Sequence, residues 1–217
     1  MPEIYYCIVD EVDHLFFESC LKELPENIRK EVTKYRFVKD QKLTLYGKWM
    51  VSSFFRQKQI PFNWMDWKKG SFGKPFLPYG PYFNVSHCES LVVVVFYEEI
   101  VGIDVEKVSE KNLDLIAMLH PNEQNYIAGS QSKEAAFCEI WTKKEAYLKA
   151  KGCGLQQELN VFDCSKDCID DELGSWNMIS LDFLDDYRLS VCTTAKGLKT
   201  GNFHPSIKNI RHLFKKC

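Results

Sequence analysis

Two acidic residues, Asp104 and Glu106, are separated by one residue in the segment GIDVE (102–106). In a β-strand, residues two positions apart face the same side, so this spacing turns both carboxylates the same way. Neighbouring carboxylates repel each other and resist ionisation unless a cation lies between them, and magnesium prefers such oxygen ligands. The segment therefore indicates a magnesium site, although an ordinary strand that ends in two solvated acids has the same pattern.

A third acidic residue, Glu145, lies in the segment WTKKEAYLK (141–149), whose apolar spacing predicts a helix. Glu145 and Lys149 are four residues apart and share one helix face. Such a pair is either a surface salt bridge worth about 0.3–0.5 kcal/mol, or a third metal carboxylate with a lysine one turn away for phosphate. Magnesium is usually bound by few protein carboxylates together with substrate phosphates, which favours the second interpretation.

Two further segments contain groups that bind phosphate. The segment GKP (73–75) predicts a tight basic loop around Lys74, and the segment NVSH (84–87) ends a predicted strand with Ser86 and His87. A histidine at the end of a strand is more often structural when nothing else points its way. Together with the three carboxylates, these groups predict a site for a metal and a pyrophosphate.

The apolar pattern also predicts the elements that must position these groups. Strands are predicted at 4–9, 82–86, 91–97, 101–105, 176–181 and 187–193, and helices near 25, at 40–56, at 112–119, from 121 and at 133–149. The short turn before 101 predicts an antiparallel meander of three strands. The order of elements repeats roughly, so we expect an α+β fold of two similar lobes related by a pseudo-twofold axis. The predicted lobes are 1–101 and 102–217, each a small antiparallel sheet packed with helices, with an active-site cleft between them.

The composition excludes several classes of protein. Over 217 residues the chain is 45% apolar and 14% aromatic, as expected of a folded domain. A net charge of −2 argues against coating nucleic acid, and the longest apolar run is far below the roughly 20 residues of a membrane span. Nine irregularly spaced cysteines, with no secretory segment before them, predict free thiols. We therefore expect a cytoplasmic protein that binds neither nucleic acid nor membrane.

Taken together, the four motifs resemble the surfactin-type (Sfp-like) members of the 4'-phosphopantetheinyl transferase superfamily. That family is marked by a Gly-Lys-Pro loop, an Asn-x-Ser-His strand end, Gly-x-Asp-x-Glu and Trp-x-x-Lys-Glu-x-x-x-Lys. All four occur here in the family's order, between residues 73 and 155. Each motif alone is common, whereas the ordered set is specific.

The resemblance implies an enzyme that moves the 4'-phosphopantetheine arm of coenzyme A onto a serine of an apo acyl or peptidyl carrier protein. The reaction would depend on Mg²⁺ and release adenosine 3',5'-bisphosphate. Asp104, Glu106 and Glu145 would ligate magnesium, Glu145 would also be the general base, and Lys149 would stabilise the leaving phosphate. The residues that would hold coenzyme A are Thr44, Lys74, Pro75, Ser86 and His87, with His87 on the 3'-phosphate.

One departure from the family pattern concerns the 3'-phosphate. Family members usually place two basic residues upstream of the position of Thr44, but the ungapped register puts Ile28 and Glu31 there. The neighbouring Arg29 and Lys30 are therefore the candidates for this contact.

The resemblance also implies a surface for the carrier protein, which tends to be acidic around its modified serine. Family geometry suggests the segment between Glu106 and Pro121 and the first helices of the second lobe. In that segment the expected contacts are Lys107, Lys111, Ile116 and Met118. Internal duplication would make one chain self-sufficient, so we expect a monomer.

Two other functions fit parts of the pattern. A non-catalytic module that binds coenzyme A or a nucleotide would keep the fold without turnover, but a decayed site would be expected to lose Glu145 or Lys149. A magnesium-dependent phosphodiesterase or nuclease would need more acids or histidines nearby than the sequence offers. The pathway of the carrier (fatty acid, polyketide or peptide synthesis) stays open.

Overall fold

The structure is a computed structural model that describes residues 1–12, 14–154, 158–194 and 206–210. The strands in these residues are β1 (Glu3–Ile8), β2 (Lys68–Lys69), β3 (Pro75–Phe76), β4 (Tyr82–Cys88), β5 (Leu91–Tyr97), β6 (Val101–Lys107), β7 (Cys168–Asp171), β8 (Gly174–Phe183), β9 (Tyr187–Thr193) and β10 (Ser206–Asn209). The α-helices are α1 (His14–Glu23), α2 (Glu26–Thr33), α3 (Val38–Gln57), α4 (Pro121–Ala128) and α5 (Lys133–Lys151). Short 3-10 helices lie at Val9–Glu11, Trp64–Asp66 and Leu113–Met118.

The apolar strand β5 lies inside the first sheet, whose strand order is β10-β1-β5-β4. Successive side chains of a strand face opposite sides, so β5 contributes to two cores. Val92, Val94 and Phe96 pack in the core that contains α3, whereas Leu91, Val93 and Val95 pack in the core shared with the second sheet. Because both faces are covered, the uninterrupted run LVVVVF (91–96) is what this position requires.

The second sheet has the order β6-β9-β8-β7, and it packs against the first sheet on one face and against α5 on the other. Ile103, Val105 and Val191 face the first sheet, whereas Met178 and Cys192 face α5. Each lobe thus combines a four-stranded sheet with one long helix, α3 or α5. This arrangement confirms the predicted α+β fold with two lobes.

The predicted meander is wrong at its last step. Both edges of β5 are occupied, because β5 pairs with β1 on one side and with β4 on the other. β6 therefore leaves the first sheet and pairs antiparallel with β9, as the edge strand of the second sheet. The first sheet is also not purely antiparallel, because β10 lies parallel to β1.

The other predicted strands and helices are confirmed to within a few residues. The helix predicted at 133–149 ends at Lys151, and the left-handed Gly152 that caps it has a φ of 71°. Leu155, the last residue of the motif-bearing span, lies outside the described residues, as does most of the tail beyond 194. The eight cysteines in the described residues are free thiols. None of the helices there is long and apolar enough to cross a bilayer.

Gly102 marks the closest approach of the second sheet to α5. A Cβ atom at this position would overlap the carbonyl oxygen of Ala146 and the backbone nitrogen of Ala150. The glycine therefore lets β6 lie directly against the backbone of the helix, two residues before Asp104.

We expect the substitution Gly102→Ala to lower the free energy of unfolding by about 2–3 kcal/mol, because the obstructing atoms are backbone atoms that cannot move aside. Urea denaturation checks this. Gly70→Ala is the matched control, since a Cβ there would meet only the carbonyl oxygen of Lys74 at 3.8 Å, and its effect should stay within about 1 kcal/mol. Equal stability of the Gly102→Ala protein and the wild type would contradict the packing argument.

Candidate active site

The candidate site lies where β4, an edge strand of the first sheet, runs beside β6, an edge strand of the second. Side chains of β4 make the hydrogen bonds between these strands. The Asn84 Oδ1 atom accepts from the backbone N–H of Ile103 at 2.9 Å, and the Cys88 Sγ atom accepts from the backbone N–H of Lys107 at 3.4 Å. Between them, Ser86 donates its hydroxyl to Asp104. Side chains at alternate positions of β4 therefore join the two lobes.

Asp104 is the buried centre of this junction, with only 3% of its surface exposed. Its Oδ1 atom accepts from the Ser86 hydroxyl at 2.7 Å and from the Lys149 ammonium at 2.6 Å. The same ammonium donates to the Ser86 hydroxyl at 2.9 Å. The Oδ2 atom of Asp104 is buried without a hydrogen-bond partner. A buried, unpaired carboxylate oxygen is costly, so this atom is a ready ligand for a cation.

Glu145 and Glu106 feel the same negative charge. Burial and the nearby Asp104 carboxylate raise the pKa of Glu145 to about 7, although the Lys149 ammonium opposes the shift. Burial and Asp104 also raise the pKa of Glu106. Asp104 and Glu106 are thus both close enough to Glu145 for their negative charges to raise its pKa. A carboxyl group with a pKa near neutrality suits general-base chemistry.

These carboxylates fit magnesium as an open set of oxygen donors. Among the described residues, no group of three or more His, Cys, Asp or Glu side chains is clustered closely enough to hold a metal ion by itself. Magnesium commonly takes one or two protein carboxylates and completes its shell with substrate oxygens and water. The unpaired oxygen of Asp104 and the raised pKa values of Glu106 and Glu145 suit that mode of binding. The metal assignment to these three residues stays a prediction.

The Lys74 ammonium binds backbone carbonyl groups of the protein itself. Its ammonium donates to the carbonyl oxygens of Val101 at 3.1 Å and Ala150 at 3.2 Å, and burial lowers its pKa to about 8. These contacts tie the 73–75 loop to the start of β6 and to the end of α5. The predicted contact of Lys74 with coenzyme A is untested, but its side chain already has two backbone partners.

A groove of about 380 Å³ opens beside this loop. It is lined by residues 74–83, Ile100 and residues 150–152. The volume falls in the range of small-molecule sites. Pro75, one of the predicted coenzyme A contacts, lies in its wall.

His87 lies on the other side of Ser86, near the start of α3. Burial and the Lys149 ammonium lower its pKa, while the charge of Asp40 opposes the shift. Thr44 follows Asp40 by four residues in α3 and therefore shares its helix face. Thr44 is half-buried, and its predicted contact with coenzyme A stays a prediction, as does that of His87.

Arg29 and Lys30 lie exposed on α2. The Lys30 ammonium forms a surface ion pair with Glu26 at 2.7 Å. Ile28, the residue at the family's first basic position in the ungapped register, is buried in the core. A phosphate contact by Arg29 or Lys30 is untested by the structure.

Glu31, at the family's second basic position, attracts two cations of its own. Its Oε2 atom accepts from the Lys48 ammonium at 2.9 Å and pairs with Lys69 at 2.8 Å. Lys48 also lies 4.5 Å from the centre of the Trp67 ring. Positive charge therefore reaches this position from α3 and β2, although the local residue is acidic.

The predicted carrier surface follows β6 directly. Lys107, Lys111 and Met118 are exposed, and Met118 is 57% exposed although apolar. Ile116 is half-buried and packs partly against the small core formed with α4 and α5. The structure therefore offers basic and apolar groups on one segment, while carrier binding by them is untested.

Sequence reasoning missed Asn84 and Cys88 as parts of the site. The Cys88 thiol donates to the Glu106 Oε2 atom at 3.2 Å. The available signal was the alternation of Asn84, Ser86 and Cys88, which a strand directs to one side. The partners of these side chains lie on β6, and the sequence does not show that β6 runs beside β4.

Comparison with known proteins identifies the family. The family model described as "4'-phosphopantetheinyl transferase superfamily" matches residues 100–198, and that described as "4'-phosphopantetheinyl transferase, N-terminal" matches residues 13–99. Together they cover both lobes, and their common border falls at the turn before β6.

Curated relatives give the same family. 4'-Phosphopantetheinyl transferase gsp of Aneurinibacillus migulanus is 29% identical over 163 residues, which cover 73% of this chain and 69% of the relative. 4'-Phosphopantetheinyl transferase Sfp of Bacillus subtilis is 27% identical over 140 residues, 62% of each chain. The mouse L-aminoadipate-semialdehyde dehydrogenase-phosphopantetheinyl transferase is 27% identical over 167 residues, 67% of this chain and 54% of the relative. The matches thus span between about half and just over two thirds of these relatives. The chain belongs to the 4'-phosphopantetheinyl transferase superfamily.

Proposed function

We propose that this chain transfers the 4'-phosphopantetheine arm of coenzyme A to a serine of an apo acyl or peptidyl carrier protein. The co-product is adenosine 3',5'-bisphosphate, and the reaction depends on Mg²⁺. The observation that supports this most is the junction of Asp104, Glu145 and Lys149, where an unpaired buried oxygen, a carboxyl group with a pKa of about 7 and an ammonium lie together. The curated names of the relatives support the same activity.

Glu145 takes the proton from the carrier's serine hydroxyl, directly or through a water molecule. Before a metal ion binds, burial and the charge of Asp104 raise its pKa to about 7, which makes it a stronger base than an ordinary glutamate. The deprotonated oxygen then attacks the β-phosphorus of coenzyme A, and the bond to the oxygen that bridges the two phosphates breaks.

Lys149 meets the phosphate charge. An ammonium has three N–H donors, and Lys149 directs two of them to Asp104 and Ser86 in the described structure. The third is available for a phosphate oxygen of coenzyme A. This contact stabilises the charge on the leaving adenosine bisphosphate.

Magnesium, held by Asp104, Glu106 and Glu145, would neutralise negative charge on the pyrophosphate when bound. Of the residues proposed to hold coenzyme A, Ser86 lies at the metal site itself, where its hydroxyl donates to Asp104. In this proposal the adenosine end occupies the groove beside Pro75, and Thr44 and His87 contact the 3'-phosphate. Lys74 keeps the loop in place through its two carbonyl contacts.

The proposal is tested by incubating the protein with coenzyme A, Mg²⁺ and an apo carrier protein, and measuring the intact mass of the carrier. We expect a gain of about 340 Da, the mass of a phosphopantetheine arm moved by phosphoryl transfer. A carrier whose serine is replaced by alanine is the control. Tight binding of coenzyme A without any mass gain would instead favour a non-catalytic coenzyme A-binding module.

The substitution Glu145→Gln should reduce the transfer rate at least about 100-fold, because the amide cannot accept the serine proton. Coenzyme A affinity, measured by calorimetry without Mg²⁺, should change only slightly. Glu139→Gln is the matched control on the same helix, since Glu139 pairs with Lys143 and Tyr126 away from Asp104. If the Glu145→Gln protein turns over at the wild-type rate, the general-base assignment is wrong.

A further inference from the structure

Lys144 is the neighbour of Glu145 but faces another part of the protein. An α-helix turns by about 100° per residue, so consecutive side chains cannot share a face. Lys144 is only 1% exposed, which is unusual for a lysine. It belongs to the Trp-x-x-Lys-Glu motif, yet the mechanism above gives it no task.

The Lys144 ammonium has three oxygen partners, one for each of its N–H donors. It donates to the carbonyl oxygens of Leu159 at 2.6 Å and Phe162 at 2.7 Å, and it pairs with the Glu123 Oε1 atom at 2.9 Å. The charge also lies 4.0 Å from the centre of the Phe162 ring. These contacts fix the direction of the side chain completely.

Glu123 extends this network to two other elements. It is fully buried, and its Oε1 atom also accepts from the backbone N–H of Cys164 at 2.6 Å. Its Oε2 atom accepts from the backbone N–H of His120 at 2.9 Å, which forms the capping box at the start of α4. Lys144 and Glu123 therefore fasten α4 and the 159–164 segment to α5.

This fastening bears on the active site because α5 also carries Glu145 and Lys149. A rotation of α5 about its axis would move both side chains relative to Asp104. The start of α4 directly follows the Leu113–Met118 segment, which lies within the predicted carrier surface between Glu106 and Pro121. A buried ion pair adds little stability compared with apolar packing, and in some proteins such directional contacts serve to fix geometry.

We propose that Lys144, together with Glu123, is a positioning residue that fixes the rotation of α5 and so directs Glu145 toward the carrier serine. This inference rests on the proposed function. It predicts a loss mainly in kcat, because a displaced base slows the chemical step. The coenzyme A groove should change less, because only residues 150–152 of its wall come from the end of α5, whereas residues 74–83 form most of it.

The test compares a variant pair with a matched control. Lys144→Met alone would leave the buried negative charge of Glu123 without its cation, so it is combined with Glu123→Gln to remove both charges. Lys143→Met is the control, because Lys143 is also buried (4% exposed) but pairs with Glu139 and Asp167. The kcat, the KM for each substrate and the Tm are measured by intact-mass kinetics and calorimetry, well below each Tm.

We expect the double variant to lose about tenfold or more in kcat, with the KM for coenzyme A within about threefold of the wild type. Lys143→Met should keep its kcat within about threefold even if its Tm falls. A folded double variant with the wild-type kcat would overturn the proposal, as would an equal loss of kcat in the Lys143→Met protein.

If the double variant does not fold, the Lys144→Arg protein is measured instead to test the proposal. It keeps the charge but cannot place a guanidinium on the same three oxygens. We expect a kcat reduced about threefold or more with an unchanged KM for coenzyme A. A wild-type kcat together with a lowered Tm would show a purely structural role. Absence of transfer by the wild-type protein would instead contradict the proposed function.

Discussion

The buried carboxylate of Asp104 is the constraint on which the rest of the site depends. It lies at the border between two sheets that side chains of β4 join, and it needs positive charge there because burial removes the stabilisation by water. Lys149 from α5 and the hydroxyl of Ser86 from β4 supply part of this compensation to one oxygen. The other oxygen is left without a partner. Three elements from both lobes therefore meet at one carboxylate, of which one oxygen has hydrogen-bond partners and the other has none.

Several contacts outside the Asp104 junction fix the position of α5. Gly102 allows β6 to touch the helix backbone, the Lys74 ammonium holds the carbonyl oxygen of Ala150 near the helix end, and Lys144 fastens another face to α4. The helix is thus held on several sides while Glu145 remains at the junction with a raised pKa. Stability and function are linked here, because the contacts that fix the helix also set the distance between base, ammonium and Asp104.

Local periodicity explains how much could be predicted from the sequence. The alternation in GIDVE correctly places Asp104 and Glu106 on one face of a strand, and helical spacing correctly places Glu145 and Lys149 on one face of α5. The pairing of β6 could not be predicted in this way, because strand partners depend on which sheet edges are occupied. The burial of Lys144 and Glu123 could not be predicted either. In the sequence they resemble ordinary surface charges, and only tertiary packing buries them.

The most direct test of the account concerns the unpaired oxygen of Asp104. Mg²⁺ is titrated into wild-type and Asp104→Asn proteins saturated with coenzyme A, and binding is measured by isothermal calorimetry. Asparagine keeps the shape of the side chain and a hydrogen-bond acceptor but lacks the negative charge. We expect saturable Mg²⁺ binding by the wild type and an affinity weaker by about tenfold or more in the variant. Equal Mg²⁺ affinity in the two proteins would contradict the assignment of this junction as the metal and pyrophosphate site.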